Sequence, residues 1–150
     1  MYVVTGNLLD LADGGEFDVI IHGCNCQCTM GAGIAKQIKQ RFPAAFQADL
    51  QTGIGAQKLG TISYAKVQGF DRTFTIVNAY TQPHWRGTGV KVDYAAIRSV
   101  MREVKTRFAG CRIGYPKIGA GLAGGDWAQI SRIIDDELHG ETHTLVEYAP

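Results

Sequence analysis

Residues 21–37 read IHGCNCQCTMGAGIAKQ, with three cysteines alternating with other residues ahead of a Gly-Ala-Gly. Such a stretch could hold a metal, run redox chemistry or cradle a phosphate. Structural zinc sites need four donors, with paired ligands spaced about two to four residues apart. Cys24, Cys26 and Cys28 are two apart, and Cys111 is remote in the chain. No C-x-x-C is present, so the thioredoxin-type signal is missing. Small residues in a compact turn, a metal site and a reactive thiol all stay open, with the compact turn favoured. The phosphate reading has better support. A strand-like run precedes the turn and a helical pattern follows it, so free N–H groups and the positive end of a helix dipole would face an anion. The third Rossmann glycine is replaced by Lys36, and no P-loop motif occurs.

Residues 116–127, PKIGAGLAGGDW, repeat the layout of strand, glycine-rich loop and helix. Gly119, Gly121, Gly124 and Gly125 are more glycines than a plain connection requires. Asp126 can cap the helix and leave the loop amides free. Two such loops at the ends of buried strands predict one crevice that holds a diphosphate. Single residues carry less. His22 follows a buried strand and could be a general acid–base or a satisfied core histidine. Asn25 could hold a ribose hydroxyl or the turn itself. Residues 83–87, PHWRG, could clamp a ligand or form a solvated loop. His139 and His143 read as surface residues.

These residues need a scaffold, and the chain supplies one. Residues 2–5 read as a first strand ended by Gly6-Asn7. Residues 17–23, FDVIIHG, carry the continuous apolar run of a strand buried on both faces. Ile34, Ala35, Ile38 and Phe42 recur at helical spacing up to Pro43, and a second short helix is expected over 44–50. Two β-rich segments meet at Gly69-Phe70-Asp71 and read as an antiparallel pair. Tyr94, Ile97, Val100, Met101, Val104 and Phe108 form the stripe of a long helix, with Asp93 as its cap and Gly110 after its end. A short strand at 111–116, a helix from 126 with a capping-box-like Asp126 and Gln129, and a last strand at 143–148 complete the order. Helices between most strands predict an α/β fold: a three-layer α/β/α sandwich around a mixed, mostly parallel sheet.

The 150 residues make one domain, 1–150, and 45% apolar with 19% charged residues is an ordinary globular balance. A net charge of +1 excludes a broad basic field for nucleic acid and gives no case for a membrane partner. No signal-peptide pattern is present in MYVVTGNLLD, so a cytoplasmic location with reduced cysteines is expected. Neither a cofactor nor a metal is called for by the motifs.

Taken together, Gly6-Asn7-Leu8, residues 22–35, residues 78–82, residues 119–127 and Tyr148 resemble the macro domain, an ADP-ribose-binding α/β/α module. The branch it is most similar to contains terminal ADP-ribose glycohydrolases, DNA-de-ADP-ribosylating antitoxins and the fungal ADP-ribose 1″-phosphate phosphatase. The resemblance implies that Asn7 and the Leu8 amide meet the adenine and that Tyr148 packs on it. Asn25 would lie by the distal ribose. Met30, Gly31, Ala32, Gly33, Ile34 and Ala35 would wrap that ribose and one phosphate, with Thr81 beside them. Gly119, Ala120, Gly121, Leu122, Ala123 and Gly124 would hold the diphosphate. Two positions depart from the glycohydrolase pattern: Gln82 stands in place of its lysine, and Ala123 in place of its aspartate. The implied catalytic residues are therefore His22, Asn25 and Asp126. The implied reaction is hydrolysis of ADP-ribose 1″-phosphate to ADP-ribose and phosphate. Removal of ADP-ribose from protein, acetyl ester or nucleic acid is the alternative, and a non-catalytic ADP-ribose reader the third reading.

Overall fold

The computed structural model describes residues 1–85 and 89–149. Its elements run β1 (Tyr2–Gly6), α1 (Leu8–Asp13), β2 (Val19–Asn25), α2 (Gly33–Arg41), α3 (Pro43–Gln51), a 3-10 turn (Ala56–Lys58), β3 (Ile62–Gln68), β4 (Thr73–Gln82), α4 (Tyr94–Arg107), β5 (Arg112–Tyr115), α5 (Trp127–Glu137) and β6 (Thr142–Tyr148). The six strands form one sheet in the order β1-β6-β5-β2-β4-β3. All neighbours are parallel except β3 and β4, the antiparallel pair anticipated around Gly69.

Strand alternation explains the layers. Along β2, Ile20 joins Phe74 and Ile76 in one core, under α1, α2 and α3. Val19 and Ile21 join Val77 and Ala79 in the other, under α4 and α5. A strand buried on both faces reads as a continuous apolar run because each residue has a helix to meet. α4 begins where Asp93 accepts a hydrogen bond from the Ala96 amide, and buries Ile97, Val100, Met101 and Val104.

Three expectations need correction. The segment after Gly6 is a helix, not a plain strand end: Asn7 caps α1, accepting from the Asp10 amide at 3.1 Å. The start of α5 is a simple cap, not a capping box. Asp126 Oδ1 accepts from the Ala128 amide, and its own N–H donates to the Tyr94 hydroxyl rather than to Gln129. His143 is buried, with Nδ1 2.6 Å from the Tyr115 hydroxyl, because it lies two residues from the core residue Leu145 on the same strand face. No helix among the described residues is long and apolar enough to cross a membrane.

Candidate functional site

Where β2, β4 and β5 end, the chain leaves the sheet through two loops, and a cleft of about 660 Å³ opens between them. That is the volume of a small-molecule site, at the strand ends where open α/β sheets bind ligands. The register of β2 against β4 slips between Cys24 and Asn25. Bulges of this kind redirect side chains beside binding sites.

The first wall is the turn after β2. Asn25 holds it: Nδ2 donates to Thr29 Oγ1 at 2.8 Å, and Oδ1 accepts from the Gln27 amide at 2.8 Å. Cys28 and Met30 take left-handed backbone angles, φ 56° and 41°. Non-glycine residues there carry strain, which clusters at functional sites. The turn feeds α2, whose N-cap is Ala32, a residue with no side-chain acceptor. The amides of Gly33, Ile34 and Ala35 have no partner within the helix, so the positive end of α2 is open to the cleft they line.

The second wall, residues 116–123, is closed on itself only in part. Ile118, Ala120, Gly124 and Gly125 donate their amides to Pro116, Lys117, Gly121 and Gly119 oxygens. The amides of Gly119, Gly121, Leu122 and Ala123 have no acceptor among the described residues. Gly119 must be glycine. Its φ is +75°, and a Cβ there would lie 2.7 Å from Val92 Cγ2. A second hollow of about 270 Å³ adjoins the cleft and is lined by Asn7, Leu8, Gln37 and Tyr148. Gly33, Ile34 and Pro116 belong to both.

Most of the expected site residues therefore converge. Asn25, Met30, Gly31, Ala32, Gly33, Ile34, Ala35, Gly119, Gly121, Leu122 and Ala123 line the cleft, and Asn7, Leu8 and Tyr148 line the hollow. Ala120 and Gly124 do not line either, since both turn their amides into the loop. Thr81 is fully buried, its hydroxyl has no partner among the described residues, and it stands behind the floor, where a Cβ on Gly23 would meet its Oγ1 at 2.9 Å. Trp85 lines the cleft at 52% exposure. Arg86 and Gly87 of the expected clamp lie outside the described residues.

Two of the three expected catalytic side chains point elsewhere. His22 shares its strand face with Ile20, is buried towards α3 and does not line the cleft. Its Nε2 lies 2.6 Å from Asn78 Oδ1. Asn78 donates its own amide hydrogens to Ala45 O and Ser63 Oγ, so its oxygen must accept and His22 must donate. Burial pushes the imidazole below its ordinary value, against the pull of Asn78 and Asp49. His22 thus serves as a neutral tie between β2, β4 and α3. Asp126 is spent as the cap of α5 and does not line the cleft. Cys24 and Cys26 are buried, and burial pushes the Cys24 thiol well up and raises that of Cys26. Thiolates, not thiols, are the nucleophiles and metal ligands. No group of three or more metal-ligating side chains exists among the described residues.

One constellation had escaped the motifs. Asp49, on α3, is 1% exposed and yet lines the cleft. Its Oδ1 accepts from the Tyr80 hydroxyl at 2.8 Å and from Lys58 Nζ at 3.2 Å. Lys58 also donates to Thr52 Oγ1 and lies 3.3 Å from Cys28 Sγ. The available signal was Ala45 to Asp49, a four-residue step along the buried face of α3 that puts a carboxylate where an apolar residue belongs.

A family model described as Macro domain matches residues 21–134. The uncharacterised 17.5 kDa protein of the tk-vs intergenic region of Enterobacteria phage T4 is 35% identical over 139 residues, 87% of this chain and 86% of that protein. The DNA ADP-ribosyl glycohydrolase of Thermus aquaticus is 27% identical over 143 residues, 90% of this chain but only 37% of that protein. An ADP-ribose 1″-phosphate phosphatase of Aspergillus oryzae is 46% identical over 43 residues, 29% of this chain and 20% of its own. The macrodomain of Thermus aquaticus DarG has the same fold, with a TM-score of 0.77 at 24% identity over 99% of this chain and 97% of that one.

Proposed function

The chain belongs to the macro domain family, and from that premise we propose that its cleft binds ADP-ribose and hydrolyses the bond at the 1″ position, with ADP-ribose 1″-phosphate as substrate and phosphate as leaving group. One observation carries the reading. The amides at the start of α2, with no acceptor among the described residues, face the cleft from one wall, and those of Gly119, Gly121, Leu122 and Ala123 line the other. Two sets of fixed N–H dipoles suit a diphosphate and any charge that develops on a departing phosphate, and they need no reorganisation to act. The adjoining hollow is a compartment for the adenine, with Tyr148 available to pack on the ring and the Leu8 amide to its edge. Lys117, on the cleft wall, adds a cation. Positioning does the rest: a sugar held at both ends presents one face of C1″ to water.

The local likeness to the phosphatases supports phosphate as the leaving group. A second reading, release of ADP-ribose from a nucleic-acid base or an acidic side chain, is favoured by the longer match to the DNA ADP-ribosyl glycohydrolase and by Trp85, whose half-exposed ring on the cleft suits a stacked base. Calorimetry with ADP-ribose, followed by phosphate release from ADP-ribose 1″-phosphate, tests both. Heat and phosphate are expected. Heat with no phosphate, but ADP-ribose freed from modified DNA, transfers the assignment to the second reading. Heat with neither product makes the protein a reader, and absence of heat removes ADP-ribose altogether.

A further inference from the structure

With His22 and Asp126 turned away, the cleft needs another group to handle a proton. Asp49 supplies the only carboxylate among the described residues that line it. Its partner Lys58 is 5% exposed, so the pair is almost closed to bulk water. Burying two charges is costly, and an apolar pair of the same size would serve packing as well or better. A fold that keeps such a pair with its carboxylate on the wall of its ligand cleft has a use for the charge. The arrangement also fixes the carboxylate. Tyr80 and Lys58 both bind Oδ1, so neither uses Oδ2. Lys58 is itself held over the Tyr80 ring, 4.1 Å from its centroid, and by Thr52. Tyr80 stays a donor, because burial pushes its phenol far up.

We propose that Asp49 is the acid–base carboxylate of the cleft and that Lys58 is its positioning residue; this rests on the reading of the cleft as an ADP-ribose hydrolase. Asp49 takes a proton from water as the water oxygen bonds to C1″. The C1″–O bond breaks, and its electron pair leaves with the phosphate. The proton then passes from Asp49 to solvent, which regenerates the carboxylate. Attack is therefore at carbon, as in glycoside hydrolysis, where a carboxylate activates water beside the sugar.

The test uses the full chain, ADP-ribose and ADP-ribose 1″-phosphate. Asp49→Asn keeps the shape and loses the charge. It is expected to bind ADP-ribose within about threefold of the parent and to lose about 100-fold or more of kcat, the range of an acid–base group. In isotopically labelled water the parent is expected to release unlabelled phosphate. Label in the phosphate would place the attack at phosphorus and overturn the proposal, as would near-parental kcat in Asp49→Asn. Should that variant fail to fold, Asp49→Asn with Lys58→Met removes both charges together. A folded double variant must be equally slow, whereas parental turnover in it assigns the pair to stability alone. A parent that binds ADP-ribose and turns over no 1″ derivative sinks the hydrolase reading and this inference with it. A parent that turns over while Asp49→Asn does too sinks the inference only.

Discussion

Twice the chain passes from a glycine loop into a helix, and the two helix starts are built in opposite ways. At α2 the N-cap is Ala32, which offers no acceptor, and the first-turn amides are left to the cleft. At α5 the N-cap is Asp126, whose Oδ1 takes the Ala128 amide at 3.0 Å, and the free amides lie instead in the loop before it. A cap satisfies one orphan donor and adds negative charge at the positive end of the dipole. Its absence at α2 sacrifices stability and keeps donors free for an anion. Both loops are glycine-rich, so glycine content alone does not tell which helix start is a binding device. The residue at the cap does.

The largest effect should come from erasing the difference at α2. Ala32→Asp supplies the missing cap: thermal stability is expected to rise by about 0.5–2 kcal/mol. ADP-ribose affinity is expected to fall about tenfold or more, since a carboxylate there competes for the amides and repels phosphate. Unchanged affinity by calorimetry would break the comparison. Asp126→Ala is the mirror case. It should lower stability by about 1 kcal/mol and leave affinity within about threefold, as read by denaturant melts and the same titration. Combining the two changes sharpens the contrast further. The sites are separate, so stabilities should nearly cancel, within about 0.5 kcal/mol, while affinity stays lost. The smallest effect belongs to His22, which lies at neither helix start. Its folded pKa is held below the ordinary 6.5 by burial. The folded state then binds fewer protons than the unfolded one, so stability is complete above about pH 6.5 and declines as pH falls through that value. His143, lowered by burial as well, acts in the same direction. Melting temperatures from about pH 8 to pH 5 should show this slope, and His22→Gln should reduce it.

Much of this was legible in the residues alone. The apolar run at 19–21 marked a strand buried on both faces, the stripe from Tyr94 to Phe108 marked α4, and the two glycine loops marked the cleft. α1 was not legible, because six residues are too few to establish a helical period, although Asn7 followed three residues later by Asp10 carries a cap signature. The orientation of His22 could have been read: counting by twos from Ile20 puts it with the core on the α3 side. Asp49 and Lys58 could not have been paired. They are nine residues apart across a turn, and their meeting depends on how α3 and the 3-10 segment pack on Tyr80.

The wall that the cleft and the hollow share has a consequence for ligand size. Gly33, Ile34 and Pro116 border both compartments, so a molecule that reaches across would be held by two grips joined through one short covalent bridge. This is a chelate. The second grip closes at the high effective concentration set by the bridge, and the combined affinity exceeds either alone without a new contact. Adenosine monophosphate and ribose 5-phosphate, each carrying half of the molecule, would then be poor competitors for a protein that holds the whole.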